Sequence, residues 1–299
     1  MKKLIIWFMV IVAVILALDM ALGFLFRKYM DSHTLPGDYE MADHVLRGFD
    51  EDAVVLGSSV ALNSINARTL QDSIGVTVFN GGANGQTFPF YLTMLKAVTQ
   101  QKTPRKVILC LTPENLDGTG IGGRYNFLAP YYGRGMADID RRMENDDWRE
   151  RLFLKSNFYR LNRIWFRILL YNFISAGIKG ENGTIVKPIP PSFPPRRAFQ
   201  GDFSMSAERR KDFEEFLKIC RDKGIDLTVI FTPQYVEKPP LRLSAAKEAE
   251  QLCHRYGARF FDDTLMQPFN SDSTLFYDDV HVNLNGTKIY TDTIILRFR

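Results

Sequence analysis

A chain of 299 residues has room for one large α/β domain with a generous core, or for two small domains. Hydrophobic residues make up 45% and charged residues 24%, and the net charge of +4 comes without a long basic block, which removes the compositional case for nucleic-acid binding. The three cysteines, Cys110, Cys220 and Cys253, are widely spaced and odd in number, a pattern that fits neither a disulfide framework nor a zinc site.

The amino terminus reads Met1-Lys2-Lys3, then runs apolar from Leu4 to Leu18. Asp19 interrupts the run, Met20 to Phe26 resume it, and Arg27 and Lys28 follow. As a helix, Leu4 to Phe26 is long enough to cross ~30 Å of hydrocarbon. A small-x-small cleavage pattern is poor here and basic residues follow directly, which favours an uncleaved anchor (residues 1–28) over a cleaved signal peptide. Lys2 and Lys3 oppose Arg27 and Lys28, so the charge bias is weak, but a short amino-terminal tail usually stays inside. The rest of the chain is then expected outside the cytoplasmic membrane. An acid within such a run is costly, which marks Asp19 as a candidate for an interfacial or partnered role.

Residues 29–52 are polar and mixed, with Pro36-Gly37 as a turn, and read as a short stem. A strand–turn–helix rhythm then sets in. Val54 to Leu56 reads as a strand ending at Gly57-Ser58-Ser59, with helical character from Asn66 to Ser73. Val76 to Phe79 reads as a second strand, ending in Asn80-Gly81-Gly82-Ala83-Asn84-Gly85, with a helix through Phe90 to Thr99. Val107 to Leu111 is the third, ending in Thr112-Pro113-Glu114-Asn115. Cys110 lies in this apolar run and is expected as a buried thiol. Three such units with short connections argue for a parallel sheet covered on both faces.

The rhythm stops over residues 118–201, where Gly120 to Gly123 and Pro188 to Pro195 flank a stretch expected to be helical from Phe153 to Ile178. That stretch interleaves Phe158, Tyr159, Trp165, Phe166 and Tyr171 with arginines. RNA-stacking surfaces use such a mixture. A helical insertion that packs on the sheet, or lies near a membrane surface, explains it more simply. Alternation resumes with a helix at Ala207 to Lys223, a strand at Leu227 to Phe231, and a helix at Ser244 to Tyr256. A short strand at Arg259 to Phe261 and a helix at Asn283 to Phe298 close the chain. Gly224 and Gly257 stop two of these helices. A Cys220–Cys253 bridge stays open if the domain lies outside the cytoplasm.

Ligands of open α/β sheets sit at the carboxyl edge of the strands, so a serine just past the first strand is a candidate nucleophile. A serine hydroxyl needs a base, and the chain has four histidines. His281 in Asp278-Asp279-Val280-His281 can act as that base, with Asp278 three residues earlier able to fold back onto its ring. An oxyanion hole needs preorganised donors, which the backbone N–H groups of Ser59 and Gly85 and an amide side chain can supply. Ser59 as a mere helix cap and Ser58 as the nucleophile are the competing readings. Asp279 is the rival orienting acid. His33, His44 and His254 lie in the stem or on a helix and read as structural, and the spacing of histidines and acids suggests no metal site.

Taken together these blocks resemble the SGNH/GDSL hydrolase superfamily. Gly57-Ser58-Ser59 is similar to its Gly-Asp-Ser block, with Ser58 in place of the aspartate. Asn80-Gly81-Gly82-Ala83-Asn84-Gly85 matches Asn-x-Gly-x-x-Gly, and Asp278-Asp279-Val280-His281 matches Asp-x-x-His. The third block, Gly-x-Asn-Asp, is represented only by Asn115 in Thr112-Pro113-Glu114-Asn115. The resemblance implies a flavodoxin-like three-layer α/β/α fold on a five-stranded parallel sheet, spanning 53–299 with the insertion at 118–201. It also implies a cofactor-free serine esterase or acyltransferase. Ser59, Asp278 and His281 would be its catalytic residues, and Ser59, Gly85 and Asn115 its oxyanion hole. Its partner would be an acylated small molecule or a glycan of the cell envelope or exterior. The alternative from another class is a catalytically silent domain that binds glycan or assists envelope assembly. A phosphate-binding protein is disfavoured, because the Asn80–Gly85 loop carries no Lys or Arg.

Overall fold

Five apolar runs become the strands β1 (Ala53–Gly57), β2 (Val78–Asn80), β3 (Lys106–Leu111), β4 (Asp226–Phe231) and β5 (Arg259–Asp262). This computed structural model describes residues 1–35, 38–117, 125–144, 147–162, 164–166, 170, 182–198, 204–238 and 243–298. Each strand pairing is parallel and the order is β2-β1-β3-β4-β5. That is the flavodoxin-like order, in which the sheet reverses direction beside β1 and leaves a crevice at the strand ends. Strands buried on both faces need apolar residues at every position rather than every second one. Val54, Val55 and Leu56 are accordingly all fully buried, each contributing roughly 1.5–3 kcal/mol of transfer free energy.

Helices cover both faces. On one side lie α3 (Ser59–Ser64), α4 (Ala67–Ile74) and the closing helix, α12 (Leu284–Phe298). Their Ala61, Leu70, Tyr290 and Ile294 share a core with Val55, Ile108 and Ile230 of the sheet. On the other lie α5 (Phe88–Gln101), α10 (Ala207–Asp222) and α11 (Ser244–Tyr256), with Phe88 stacked edge-on against Phe213 and Phe216. The layering is α/β/α. The one-turn helix α6 (Glu114–Asp117) follows β3. Cys110, Cys220 and Cys253 are free and buried, and burial pushes all three thiols up.

The chain divides into two compact units: Met1–Glu40 with Tyr125–Gly177, and Met41–Arg124 with Ile178–Arg299. In the first, α1 runs unbroken from Lys2 to Ser32 and is long and apolar enough to cross a membrane. It is joined there by α7 (Ala137–Glu144), α8 (Trp148–Phe153) and α9 (Asn157–Leu161). The second unit holds the sheet.

Three expectations change. Much of the polar stem is helical, because Met41, Ala42, Val45 and Leu46 form a buried stripe on α2 (Asp38–Arg47). The single helix expected from Phe153 to Ile178 is broken after Phe153 and restarts where Ser156 caps α9. Beyond α9, residues 164–166 and 170 are helical, while Tyr171 and the Gly120–Gly123 patch lie outside the described residues. The last part of the insertion, residues 182–198, belongs to the sheet unit as an extended strap. Asn80 N–H donates to Asn182 O at 2.8 Å, and Ile185 N–H donates to Leu62 O at 3.1 Å.

Candidate active site

β1 ends at Gly57, where φ is 150° and a Cβ would meet the Cys110 carbonyl oxygen of β3 at 2.2 Å. Only glycine makes that exit without strain. Ser58 follows in extended conformation and caps α3, its Oγ accepting from Val60 N–H at 3.4 Å. It is buried beside Tyr91, whose hydroxyl donates to Gln86 O at 2.6 Å and whose pKa burial pushes up. The capping role weighed for Ser59 therefore falls to Ser58. Ser59 is the first residue of α3, half-buried, with its hydroxyl 2.7 Å from His281 Nε2.

His281 arrives from the loop before α12, 222 residues away in sequence. Its Nδ1 lies 2.8 Å and 2.9 Å from the two carboxylate oxygens of Asp278. A carboxylate can only accept, so Nδ1 carries the proton and Nε2 is left to accept from the Ser59 hydroxyl. Asp278 Oδ1 also accepts the backbone N–H groups of Val280 at 3.0 Å and His281 at 2.7 Å. Partial burial pushes its carboxyl up, but the His281 side chain and these two backbone donors outweigh that and hold its pKa to about 2. The three-residue spacing thus closes into a single turn.

Asp279, the rival acid, faces elsewhere. Its carboxylate lies 3.0 Å from Nε of Arg197, whose other donors reach Gln234 Oε1 at 3.0 Å and Glu114 Oε1 at 3.3 Å. Arg197 N–H also donates to Tyr235 O, while Tyr235 N–H donates to Asp279 O at 2.9 Å. One guanidinium on the strap therefore ties together the loops after β3 and β4 and the Asp278–His281 turn. Sequence reasoning passed over Arg197, because its partners share no local spacing with it.

The second loop is fastened to the serine helix by Asn80. Its side chain is fully buried; Nδ2 donates to Ala61 O at 2.8 Å and Ile65 O at 3.0 Å, and Oδ1 accepts Gly82 N–H at 3.0 Å. A side chain at Gly82 would meet Leu62 N at 2.5 Å, so the close approach to α3 occurs at Gly82. Gly85 lies further out, exposed, in a turn with φ 65°. Asn115 turns its carboxamide oxygen back onto Thr112 N–H at 2.8 Å, which leaves its NH₂ as the donor end. From the far side, Thr287 of α12 donates to Asn63 O at 2.7 Å and Thr291 accepts Asn66 N–H at 2.9 Å.

The remaining histidines take other places. His44 Nε2 pairs with Glu51 at 2.8 Å, His33 stacks on Tyr29, and His254 is exposed on α11. Among the described residues, no group of three or more His, Cys, Asp or Glu side chains is placed to hold a metal ion.

No protein-family model matches the sequence, and no curated protein matches it. Solved structures are similar in fold. A psychrotrophic esterase from a Pseudoalteromonas species is 12% identical, with 81% of this chain and 94% of that one covered and a TM-score of 0.40. A lipase/acylhydrolase from Enterococcus faecalis is 13% identical over 82% and 94% of the two chains, with a TM-score of 0.41. A GDSL-like lipase from Bacteroides thetaiotaomicron is 11% identical over 91% and 96%, with a TM-score of 0.38. Likeness at this level leaves the chemistry to be read from the chain's own residues.

Proposed function

We propose that this chain is a membrane-anchored serine esterase or acyltransferase of SGNH type, acting on O-acyl esters. The observation that carries the reading is the unbroken relay from Asp278 through His281 to the Ser59 hydroxyl, with 2.8 Å and 2.7 Å contacts. Such a relay has one evident use at a strand-end crevice. His281 Nε2 takes the Ser59 proton as Oγ attacks an ester carbonyl, while Asp278 holds the tautomer and stabilises the imidazolium that forms. The carbonyl oxygen gains negative charge, and the backbone N–H groups of Ser59 and Gly85 with the Asn115 NH₂ are the donors assigned to it. Collapse of the tetrahedral intermediate breaks the C–O bond to the alcohol. That alcohol leaves with the proton from His281, and the acyl group stays on Ser59. Water, or a hydroxyl of a second substrate, then attacks with its proton going to His281, and Ser59 is regenerated. The long apolar α1, with only a short amino-terminal tail before it, supports a catalytic unit held at the outer face of the membrane. Acylated glycans of the envelope or exterior are the substrate class that such a position favours.

The test is hydrolysis of p-nitrophenyl acetate by the full chain, with Ser59→Ala and His281→Ala alongside. Each substitution should lower turnover by about 10³-fold or more with the fold intact. Wild-type turnover in either variant refutes the triad. A catalytically silent glycan-binding domain is the second reading, favoured by Ser58 where the resemblance has an aspartate. A fluorophosphonate probe separates the two: adduct on Ser59 supports the enzyme, and absence of any adduct supports the binding domain.

A further inference from the structure

The unit formed by Met1–Glu40 and Tyr125–Gly177 exposes more large apolar side chains than a water-facing surface carries. Along α8, α9 and the helical residues 164–166, the side chains of Trp148, Leu152, Phe153, Phe158, Trp165 and Phe166 are exposed, Trp148 by 68%. What covers such a face is told by the way it is fixed to α1. The Asp19 carboxylate accepts four hydrogen bonds from the amino end of α9: Ser156 Oγ at 2.8 Å, Asn157 N and Nδ2 at 3.0 Å each, and Phe158 N at 2.7 Å. One helical turn on, a Cβ on Gly23 would meet Asn157 Cγ at 2.3 Å, so glycine there lets α9 lie directly against α1. The two helices are held at one level, and that level lies inside the apolar span.

The depth follows from helix geometry. Asp19 lies about 24 Å along the axis from Lys3 at ~1.5 Å per residue. With Lys3 at one interface of a hydrocarbon layer ~30 Å thick, Asp19 falls within about the last 6 Å of the opposite leaflet. On α1 itself, Leu16, Leu18, Met20 and Phe24, before and after Asp19, remain exposed at the level where α9 is fixed to it. We propose that α8, α9 and residues 164–166 form a foot seated in the outer leaflet of the bilayer, its apolar side chains among the acyl chains beside α1. The proposal rests on α1 being the membrane anchor. It explains how an acid is tolerated in the span, since the amino end of a helix is carried to it and satisfies both oxygens. The edge chemistry also fits a lipid surface. Arg149 lies 5.6 Å over the Trp148 ring, and Lys155 is exposed in the α8–α9 turn, placing cations at headgroup level among interfacial aromatics.

The three tryptophans, Trp7, Trp148 and Trp165, make this measurable. The full chain is placed in nanodiscs of phosphatidylcholine and phosphatidylglycerol, with or without bromine on the phosphatidylcholine acyl chains. Trp7→Phe leaves Trp148 and Trp165 to report on the foot, and the double variant Trp148→Phe/Trp165→Phe leaves Trp7 to report on the span. In Trp7→Phe, bromine near the headgroup end should quench emission at least about two-fold, and more strongly than bromine deep in the chain, as interfacial indoles require. If Trp7 is quenched while Trp148 and Trp165 are not, the anchor stands and the foot is refuted. Acrylamide then tells whether water or a protein partner covers that face. If no tryptophan is quenched, the anchor reading fails and the proposal falls with it.

Discussion

Asp278 accepts from the His281 ring and from two backbone N–H groups within one turn, so its charge is tied to both the shape of the loop and the tautomer of the base. Replacing it with Asn puts an amide where the acceptor stood and permits the wrong tautomer. Ester hydrolysis should then fall by about 10³–10⁴-fold with an unchanged far-UV spectrum. The same carboxyl makes a prediction about acid. Its pKa is lowered from 3.8 to about 2 on folding, so its contribution is complete above pH 4 and lost as pH falls through 2. Its side chain is 42% exposed, and solvent screening leaves about 1 kcal/mol. Urea midpoints should therefore favour wild type over Asp278→Asn at pH 5 and converge near pH 2; a gap that persists there would contradict the pairing. Ser58 separates structure from chemistry at the neighbouring position. Ser58→Ala should cost about 1 kcal/mol as a lost cap and leave fluorophosphonate labelling at Ser59 intact.

At the level of elements, the catalytic groups sit on pieces that other residues hold still. α12 is fastened to the loop after β5 by Arg297, bidentate to Asp263 at 2.6 Å and 2.7 Å, with the Tyr290 hydroxyl donating to the same carboxylate at 2.7 Å. Asp263 is only 5% exposed, and Asp263→Ala would strand a half-buried guanidinium, at a cost of about 3–5 kcal/mol in chemical unfolding. Arg197 is the corresponding device on the strap. Arg197→Ala should lower kcat about ten-fold with little change in KM, because it positions the Asp278–His281 turn without entering the chemistry. Arg197→Lys should recover part of the loss, and an unchanged kcat in both variants would remove Arg197 from that role. These elements differ in how far the sequence reveals them. Buried parallel strands are apolar at nearly every position, and the first announces itself with Ser59 in the turn behind it, while the Asp278–His281 pair shows by its three-residue spacing before the last helix. α2 is masked by its polar composition, although Met41, Ala42, Val45 and Leu46 have helical spacing. The strap and the Arg197 contacts have no period to detect, since their partners come from residues 114, 234 and 279.

For the whole molecule, α1 is the segment whose character matters most, because a signal peptide and an anchor share composition and position. The run of apolar residues is legible in the sequence, while the use of Asp19 is not, since its donors lie 137 to 139 residues away. Those contacts bear on cleavage. A signal peptide is removed and contributes nothing to the mature fold, whereas here Asp19 caps α9, and Phe26 and Met30 are buried in the same unit. Removal of α1 would leave the amino end of α9 with unsatisfied donors and uncover apolar side chains. The chain expressed from Met1 should therefore be recovered from membranes with an intact mass near 34.4 kDa, and a species shortened by the length of α1 would overturn the anchor. Asp19→Leu tests the cap itself. It should leave the chain full-length and open the Leu154–Phe158 turn to limited proteolysis, whereas Asp19→Asn, which keeps one acceptor oxygen, should protect that turn in part. Equal protection in wild type and Asp19→Leu would show that α9 is held by apolar packing alone, and the acid in α1 would then have no structural use.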